Sequence, residues 1–540
     1  MTTDFATLPI RHTISDGSPR QPLTGIGTLI ALTLLRDRFR ICMWVGWLTL
    51  LMTYTPLAFT SIYPTTDDRM ARVTMMKTPA GIIMGGPNFG VNETNVGVMV
   101  ANELMTVMIG AAAIMSILTV IRHTRAEEES GSAELVMAAA IGHQARTYAA
   151  LVVVGLMNAV LAVAMTIALS AAGFDVADSL GISLGITGAS MVFAGVAAVT
   201  SQLWRTSRVA SSVAMAALAA AVLVRGIGDI IDNKGSTLSW FSPLAWAQQI
   251  RPFVDLRWWP LLLLVGASVA LMLTAHMLER HRQYDAGVLP SRGENANALE
   301  IKSVFGLNLQ LQRGLLTGWG AGIFLTGMAF GSMAKSLSDS IDTNPLLARA
   351  FQAHGLDGIF ATFNQVLAIA ATAYVVSAIV KLAKDEQSGI TETVLARAVS
   401  RWNWILSAVA VTVMGSALLM LIAGLGGGLG AAATLHNPDL VWRLALAALA
   451  QVPALMVVAG IAAIGISLQH SLIGWLVVAF SVGMLYAGIL QLPSWIVTLS
   501  PVMRVSAPVE YPWPTMFVLI AIGAGLTAAA GAIYHRRDAI

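Results

Sequence analysis

Twelve stretches of about twenty residues, nearly free of charge, divide this sequence and leave its backbone little choice. Each is long enough to cross about 30 Å of hydrocarbon as a helix. Within that layer every N–H and C=O has to bond inside its own segment, which a helix achieves. The stretches fall near 41–63, 98–121, 147–172, 180–201, 209–229 and 259–278, then near 315–336, 357–380, 403–431, 441–466, 472–491 and 514–534. With 56% hydrophobic and 11% charged residues, the expected fold is an all-α polytopic membrane protein. One cysteine, Cys42, excludes a disulfide framework and a cysteine-based metal site. No cleavable signal peptide is expected, because the first 23 residues are polar and the first apolar segment is long enough to stay in the bilayer.

The most polar run between two apolar segments occurs twice. RHTRAEEESGSAELVMAAAIGHQAR spans 122–146, and KDEQSGITETVLARAVSR spans 384–401, displaced by 258 residues. At that displacement Asp385 and Glu386 fall on Glu127 and Glu128, Gly389 on Gly131, and Glu392 on Glu134. Small or apolar residues at 133, 136, 137, 140 and 141 match Thr391, Val394, Leu395, Ala398 and Val399, the spacing of one helix face. Gly131 and Gly389 suit N-caps, with Glu134 and Glu392 three residues on, beside free N–H groups and the positive dipole end. Each copy reads as a short amphipathic helix between two spans. Either it is a polar loop, or it is a docking element that takes force from a soluble partner.

Other matches make the whole chain a tandem duplication. GLNLQLQRGLLTGW at 306–319 overlays ALTLLRDRFRICMW at 31–44, and MVVAGIAAI at 456–464 overlays MVFAGVAAV at 191–199. Ser242-Pro243 and Ser500-Pro501 each open a semi-apolar segment before the last span of a half, read as an interfacial or re-entrant helix on the outer side. The expected organisation is a disordered tail over 1–23, a first six-span repeat over 24–278, a cytoplasmic linker over 279–302 and a second six-span repeat over 303–540. Residues 27–40, half apolar and ending in a basic cluster, are expected as a separate helix lying at the interface. With the repeated polar helices inside, Arg36, Arg38, Arg40, Arg122, Arg146, Lys381 and Arg401 fall on the cytoplasmic side with both termini. Six spans per half then make the repeats parallel.

Catalytic signatures are missing. The sequence has no GxxxxGK[ST] phosphate loop, no HExxH and no GxSxG, so no enzyme activity, cofactor or metal is expected in this chain. Few ionisable groups fall within spans. Glu103 either lies hydrated near the outer interface or faces a cavity or partner, because an unpaired mid-bilayer charge costs about 3 kcal/mol. Arg225 and Asp229, four apart, read as an outer structural ion pair. Candidates for a substrate path are Trp44, Glu103, Met105, Met108, Trp319, Asn364 and Gln365. The tryptophans serve equally as interfacial anchors, and Met43, Met105, Met108 and Met115 as lining of an adaptable pocket.

RAEEESGSAEL, the SPLAWAQQIRPF segment, SQLWRTSR at 201–208 and LVRGIGD at 223–229 together resemble the fused, twelve-span ABC type-2 permeases of actinobacteria. These are the tetronasin-type exporters of polyketide antibiotics, with mycobacterial multidrug-efflux permeases among them. The resemblance covers residues 24–537 and implies an interfacial first helix, a coupling helix after span two and outer helices before span six in each half. It implies two copies of a separate ATPase, which bind ATP and Mg, docking at Glu127, Glu128, Gly131 and Glu134 and at Asp385, Glu386, Gly389 and Glu392. The second copy departs from the first, with Gln387 for Glu129 and Thr393 for Leu135, so the two sites are expected to be unequal.

The expected function is the membrane permease of an ATP-driven exporter of hydrophobic small molecules in the bacterial inner membrane, with no nucleic-acid partner. A proton-coupled secondary multidrug transporter shares the twelve-span, two-repeat plan, but the loop after span two lacks GxxxDRxGRR. A force-relaying membrane protein without transport would carry a large outer domain, and the longest outer loop has only about thirty-five residues.

Overall fold

A computed structural model describes residues 23–63, 65–77, 79–93, 95–129, 142, 144–232, 234–282, 287–289, 303–341, 355–387, 389–396, 399–485 and 493–536. Residues 1–22 of the expected tail, and 283–286 and 290–302 of the expected linker, lie outside them. Among the described residues the regular structure is all helical, and eleven helices are long and apolar enough to cross a membrane. The chain is a multi-pass membrane protein.

In the first half the helices are α1 (Ile26–Ile62), α2 (Thr66–Met76), α3 (Pro79–Gly85), α4 (Val96–Glu103), α5 (Met105–Ile121) and, after a π-helical turn over Arg122–Ala126, α6 (Glu127–Glu129). They continue with α7 (Ala145–Ala171), α8 (Val176–Leu203), α9 (Ser207–Ile231), α10 (Pro243–Gln248) and α11 (Pro260–His281). In the second half come α12 (Val304–Ile341), α13 (Gly355–Gln387), α14 (Ile390–Leu395), α15 (Arg401–Leu435), α16 (Leu440–Leu449), α17 (Val452–Ser467), α18 (Leu472–Leu485), α19 (Ser494–Val497) and α20 (Trp513–Arg536). Of the twelve expected spans, the one near 472–491 is described only as the 14-residue α18, with 486–492 outside the described residues. The chain divides into two compact units, Met1–Pro64 with Ile82–Glu294, and Thr65–Gly81 with Asn295–Ile540.

The first helix corrects one expectation. Residues 27–40 do not form a separate interfacial helix: α1 runs 37 residues without a break. The charges that suggested a boundary are met sideways instead, Arg36 by Glu127 and Asp37 by Arg122 and His123. A charge with a partner on a neighbouring helix gives the backbone no reason to stop.

In the first unit α8 is the central helix, packed against α5, α7, α9, α10 and α11. Its small residues allow that approach. A Cβ at Gly188 would stand 3.0 Å from Leu264, and one at Gly195 2.7 Å from Leu271, both on α11. Between α5, α7 and α8 polar groups bond across the helices: Ser116 and Ser190 hydroxyls lie 2.8 Å apart, Asn158 donates to Ser116 at 3.0 Å, and Ser190 donates to the Ala112 carbonyl at 2.7 Å. Met99, Met105, Met108 and Met115 fill the surrounding core.

The second unit relies on glycine more heavily. Along α12 and α15, Gly327 and Gly331 face Gly427 so closely that the two backbones touch. An added Cβ at Gly331 would collide with the Gly427 carbonyl oxygen and lie 2.8 Å from the Ala431 nitrogen. Also in this unit, α2, from the long loop after the first span, packs on α12.

This contact sets a paired test. Gly331→Ala should lower the thermal stability of the purified protein by about 1–3 kcal/mol through overpacking. Gly322→Ala on the same helix, where an added Cβ meets nothing within 4 Å, should not lower it. Equal melting of the two variants in detergent would remove the close α12–α15 contact from the account.

Candidate functional site: the glutamate junction after the second span

The helix of the second span does not end at the polar boundary. It loosens into the π turn over Arg122–Ala126 and presents Glu127, Glu128 and Glu129 on three sides of the last turn. Each glutamate takes a different set of helices.

Glu128 is buried, its side chain 2% exposed, and three arginines reach it. Arg125 and Arg146 pair with its two oxygens. Arg282, just past α11, donates to Oε2 at 2.8 Å and to Oε1 at 2.6 Å in a forked pair. Arg125 also donates through Nε to the Trp204 carbonyl at 2.8 Å, at the end of α8. One carboxylate thereby joins the ends of α5, α7, α8 and α11.

Glu127 faces the other way. Its Oε1 meets Arg36 of α1 and stands 3.1 Å from Nδ1 of His123. The other ring nitrogen of His123 lies 2.8 Å from Asp37, which Arg122 also approaches at 3.2 Å. Glu129 accepts from the backbone N–H of Ser207 at 3.0 Å and from its hydroxyl, so it caps the first turn of α9 from outside that helix. Thr206, the N-cap itself, accepts from Val209 N.

The second half is built differently at the matched positions. Lys381 stands where His123 stands, and Asp385 where Glu127 stands. Lys381 Nζ donates to the Leu311 carbonyl of α12 at 3.0 Å and lies 3.8 Å from Asp385. Asp385 is buried and Glu386 half-buried. Gly389 is the N-cap of α14 at φ 77°, a left-handed conformation that glycine adopts without strain. Glu392 sits in the first turn of α14 and is exposed. Gly131 and Glu134, the matching residues of the first copy, lie outside the described residues.

The substrate-path candidates are not brought together. Trp44 lines a cavity of about 180 Å³ in the first unit, together with Met43, Asp37, Arg40, Arg122, Leu118 and Met157. Met105 and Met108 are core residues, and Glu103 ends α4 half-buried. Trp319 packs at the edge of the second unit's core. Asn364 and Gln365 hold the outer segment of the second unit, donating to the Ala507 carbonyl at 3.3 Å and the Val505 carbonyl at 3.1 Å. In the first unit Gln248 of the matching segment donates to Thr106 Oγ1 at 2.8 Å and to the Gly85 carbonyl at 3.0 Å, and Thr106 donates to that carbonyl at 2.6 Å.

The segments opened by Ser242-Pro243 and Ser500-Pro501 are themselves unequal. Ser242 caps α10, and Trp246 on it is half-buried with its indole N–H on the Trp240 carbonyl at 2.7 Å. After Ser500-Pro501 the chain makes only a 3-10 turn over Val502–Arg504. Arg225 and Asp229, both fully buried, stand 3.5 Å apart; Arg225 also donates to the Ile82 and Ile83 carbonyls, and Asp229 accepts from Ser239 at 2.6 Å.

Sequence reasoning placed the acids but missed their partners. Arg282 is 154 residues from Glu128, and nothing in the pattern near either one announces the other. The signal that was available is local: Arg125 and Glu128, at i and i+3, already share a helix face.

The family described as "Multidrug efflux system permease Rv1217c, C-terminal domain" matches residues 28–280 and 301–536. The chain belongs to this family. A multidrug efflux system permease protein of Mycobacterium tuberculosis, Rv1217c, is 32% identical over 536 residues, covering 95% of each chain. The family match thus takes in the glutamate junction, the matched segment at 384–401 and both outer segments, so this chain is similar to a mycobacterial multidrug-efflux permease along nearly its whole length.

Removing the charge at Glu128 leaves three arginines facing one another. Glu128→Gln should therefore cost about 3–5 kcal/mol of stability, the usual penalty for breaking a buried ionic cluster. Glu392→Gln, at an exposed position, should change stability by less than about 0.5 kcal/mol. Melting of both variants in the same detergent checks the contrast.

Proposed function

We propose that this chain is the membrane-spanning permease of an ATP-driven exporter of the ABC-2 type, which extrudes hydrophobic small molecules, antibiotics and other drugs among them. Two copies of a separate ATPase subunit, which bind the ATP and Mg, supply the energy, and the chain has no catalytic role of its own. The relative's description as a multidrug efflux system permease supports the transport part of this reading.

The observation that carries it is the repeated acidic segment after the second span of each half, with α14 begun at Gly389 and Glu392 exposed in its first turn. A helix that takes force from a partner needs one exposed face and one rigid root. In the first half the root is the Glu128 cluster, which ties the segment's base to four spans. Of the acids assigned to docking, Glu128 is spent on that root, so the contact with the ATPase falls to Glu134 and Glu392. Both repeats are oriented alike, with the polar segments and both termini on the cytoplasmic side of the bacterial inner membrane. Closure of the ATPase pair pushes both segments, the two bundles rock, and a ligand taken from the inner leaflet leaves outward.

Mass measurement of the purified complex should give two ATPase copies per chain, with ATP turnover only when both components are present. Glu134→Gln and Glu392→Gln should weaken association by about 2–5 kcal/mol, the loss for one member of a desolvated charge pair. Glu392→Gln should be the more damaging, because the second segment carries fewer acids. ATP turnover by this chain alone, or efflux in proteoliposomes driven by a proton gradient without the ATPase, would overturn the reading.

A further inference from the structure

The cavity of about 180 Å³ in the first unit is lined by α1, α5 and α7. Its lining changes character along one helical turn. Asp37 on α1 lies level with Arg122, as their 3.2 Å contact fixes, and Arg40 stands about one turn further along α1. From that turn toward the middle of the spans the lining is Ile41, Trp44, Leu118, Val153 and Met157. The mouth lies between Met43 and Leu118, which are 60% and 45% exposed.

Charge at the polar end does not balance. Asp37 is shared between Arg122 and His123, while Arg40 is exposed and has no ion-pair partner among the described residues. The cavity therefore offers cationic donors at the level where spans meet headgroups, and an apolar slot just below.

Size decides what kind of molecule fits. Pockets for drug-sized ligands measure about 300–1,000 Å³. This cavity is nearer the roughly 150 Å³ of an apolar hole that takes a benzene ring. It can receive a segment of a longer molecule whose remainder lies along the helices outside.

We propose that this cavity is a binding site for an anionic phospholipid, with the phosphate on Arg40 and Arg122 and the first part of one acyl chain between Trp44, Leu118 and Met157. Basic pockets between spans hold anionic headgroups in this way, each arginine adding about 1 kcal/mol. The exposed apolar face of α1 beyond the mouth, with Trp47 and Leu50, carries the remainder of the chain. The site rests only on the spanning helices and not on the ATP-driven reading, so either can fail without the other.

The test uses the full chain in neutral detergent, titrated separately with phosphatidylglycerol and with phosphatidylcholine of the same chains, retained lipid being counted by native mass measurement. Wild-type protein should retain phosphatidylglycerol at markedly lower concentration than phosphatidylcholine. Arg40→Gln should weaken that retention about fivefold, the equivalent of one arginine contact. Arg38→Gln removes the same charge from a side chain that lies over the Phe39 ring and does not line the cavity, and should leave retention unchanged. Leu118→Trp, which fills the slot from its mouth, should weaken it without changing the charge. Glycerol phosphate, a headgroup without chains, should not displace the lipid at matched concentration. Equal retention of the two lipids, equal effects of Arg40→Gln and Arg38→Gln, no effect of Leu118→Trp, or full displacement by glycerol phosphate would each overturn the proposal.

Discussion

A carboxylate withdrawn from water has to be compensated on the spot, and Glu128 is the place where that demand organises the first half of this protein. Burying an ion costs several kcal/mol even after the surroundings relax. Three guanidinium groups meet it, and each comes from a different stretch of chain: Arg125 from the turn after α5, Arg146 from α7 and Arg282 from the end of α11. Glu128 is not easily given up, because each of the three arginines would then be a cation without its counter-charge. The ends of the spans are fixed relative to one another by electrostatics and not by apolar packing alone. That suits a region near the membrane boundary, where the surrounding lipid offers apolar helix faces no preference for one another.

The neighbours extend the same logic in two directions. Glu127 turns to Arg36 and His123 on the side of α1, and Glu129 turns to Ser207 at the head of α9. Three consecutive acids in a sequence are usually read as a solvated tract. Here the helical rotation of about 100° per residue sends each to a different neighbour. The three acids together tie α5 to α1, α7, α8, α9 and α11.

The spans were legible because hydropathy is a local property that a window of residues reveals. The repeat of acids and glycine is likewise a matter of local spacing, visible in the sequence of both segments. What could not be read was pairing at distance. Arg36 and Asp37 looked like the end of an interfacial helix, since nothing nearby showed that His123 and Glu127 would neutralise them and let α1 continue. Asn364 and Gln365 were legible as polar groups within a span, but that their amides hold carbonyls at 505 and 507 was not. In both cases the residue type was informative and the partner decided the role.

Lys381 in the place of His123 has a consequence for how such a chain can evolve. In an assembly of two identical subunits every substitution is made twice, and a change suited to one side is imposed on the other. Where the two positions lie in one chain, that constraint does not apply. The first half keeps an imidazole between two carboxylates, while the second substitutes an ammonium group that grips a backbone carbonyl of α12. The two halves therefore hold the same position by different chemistry, one through an imidazole shared between carboxylates, the other through an ammonium group on a carbonyl.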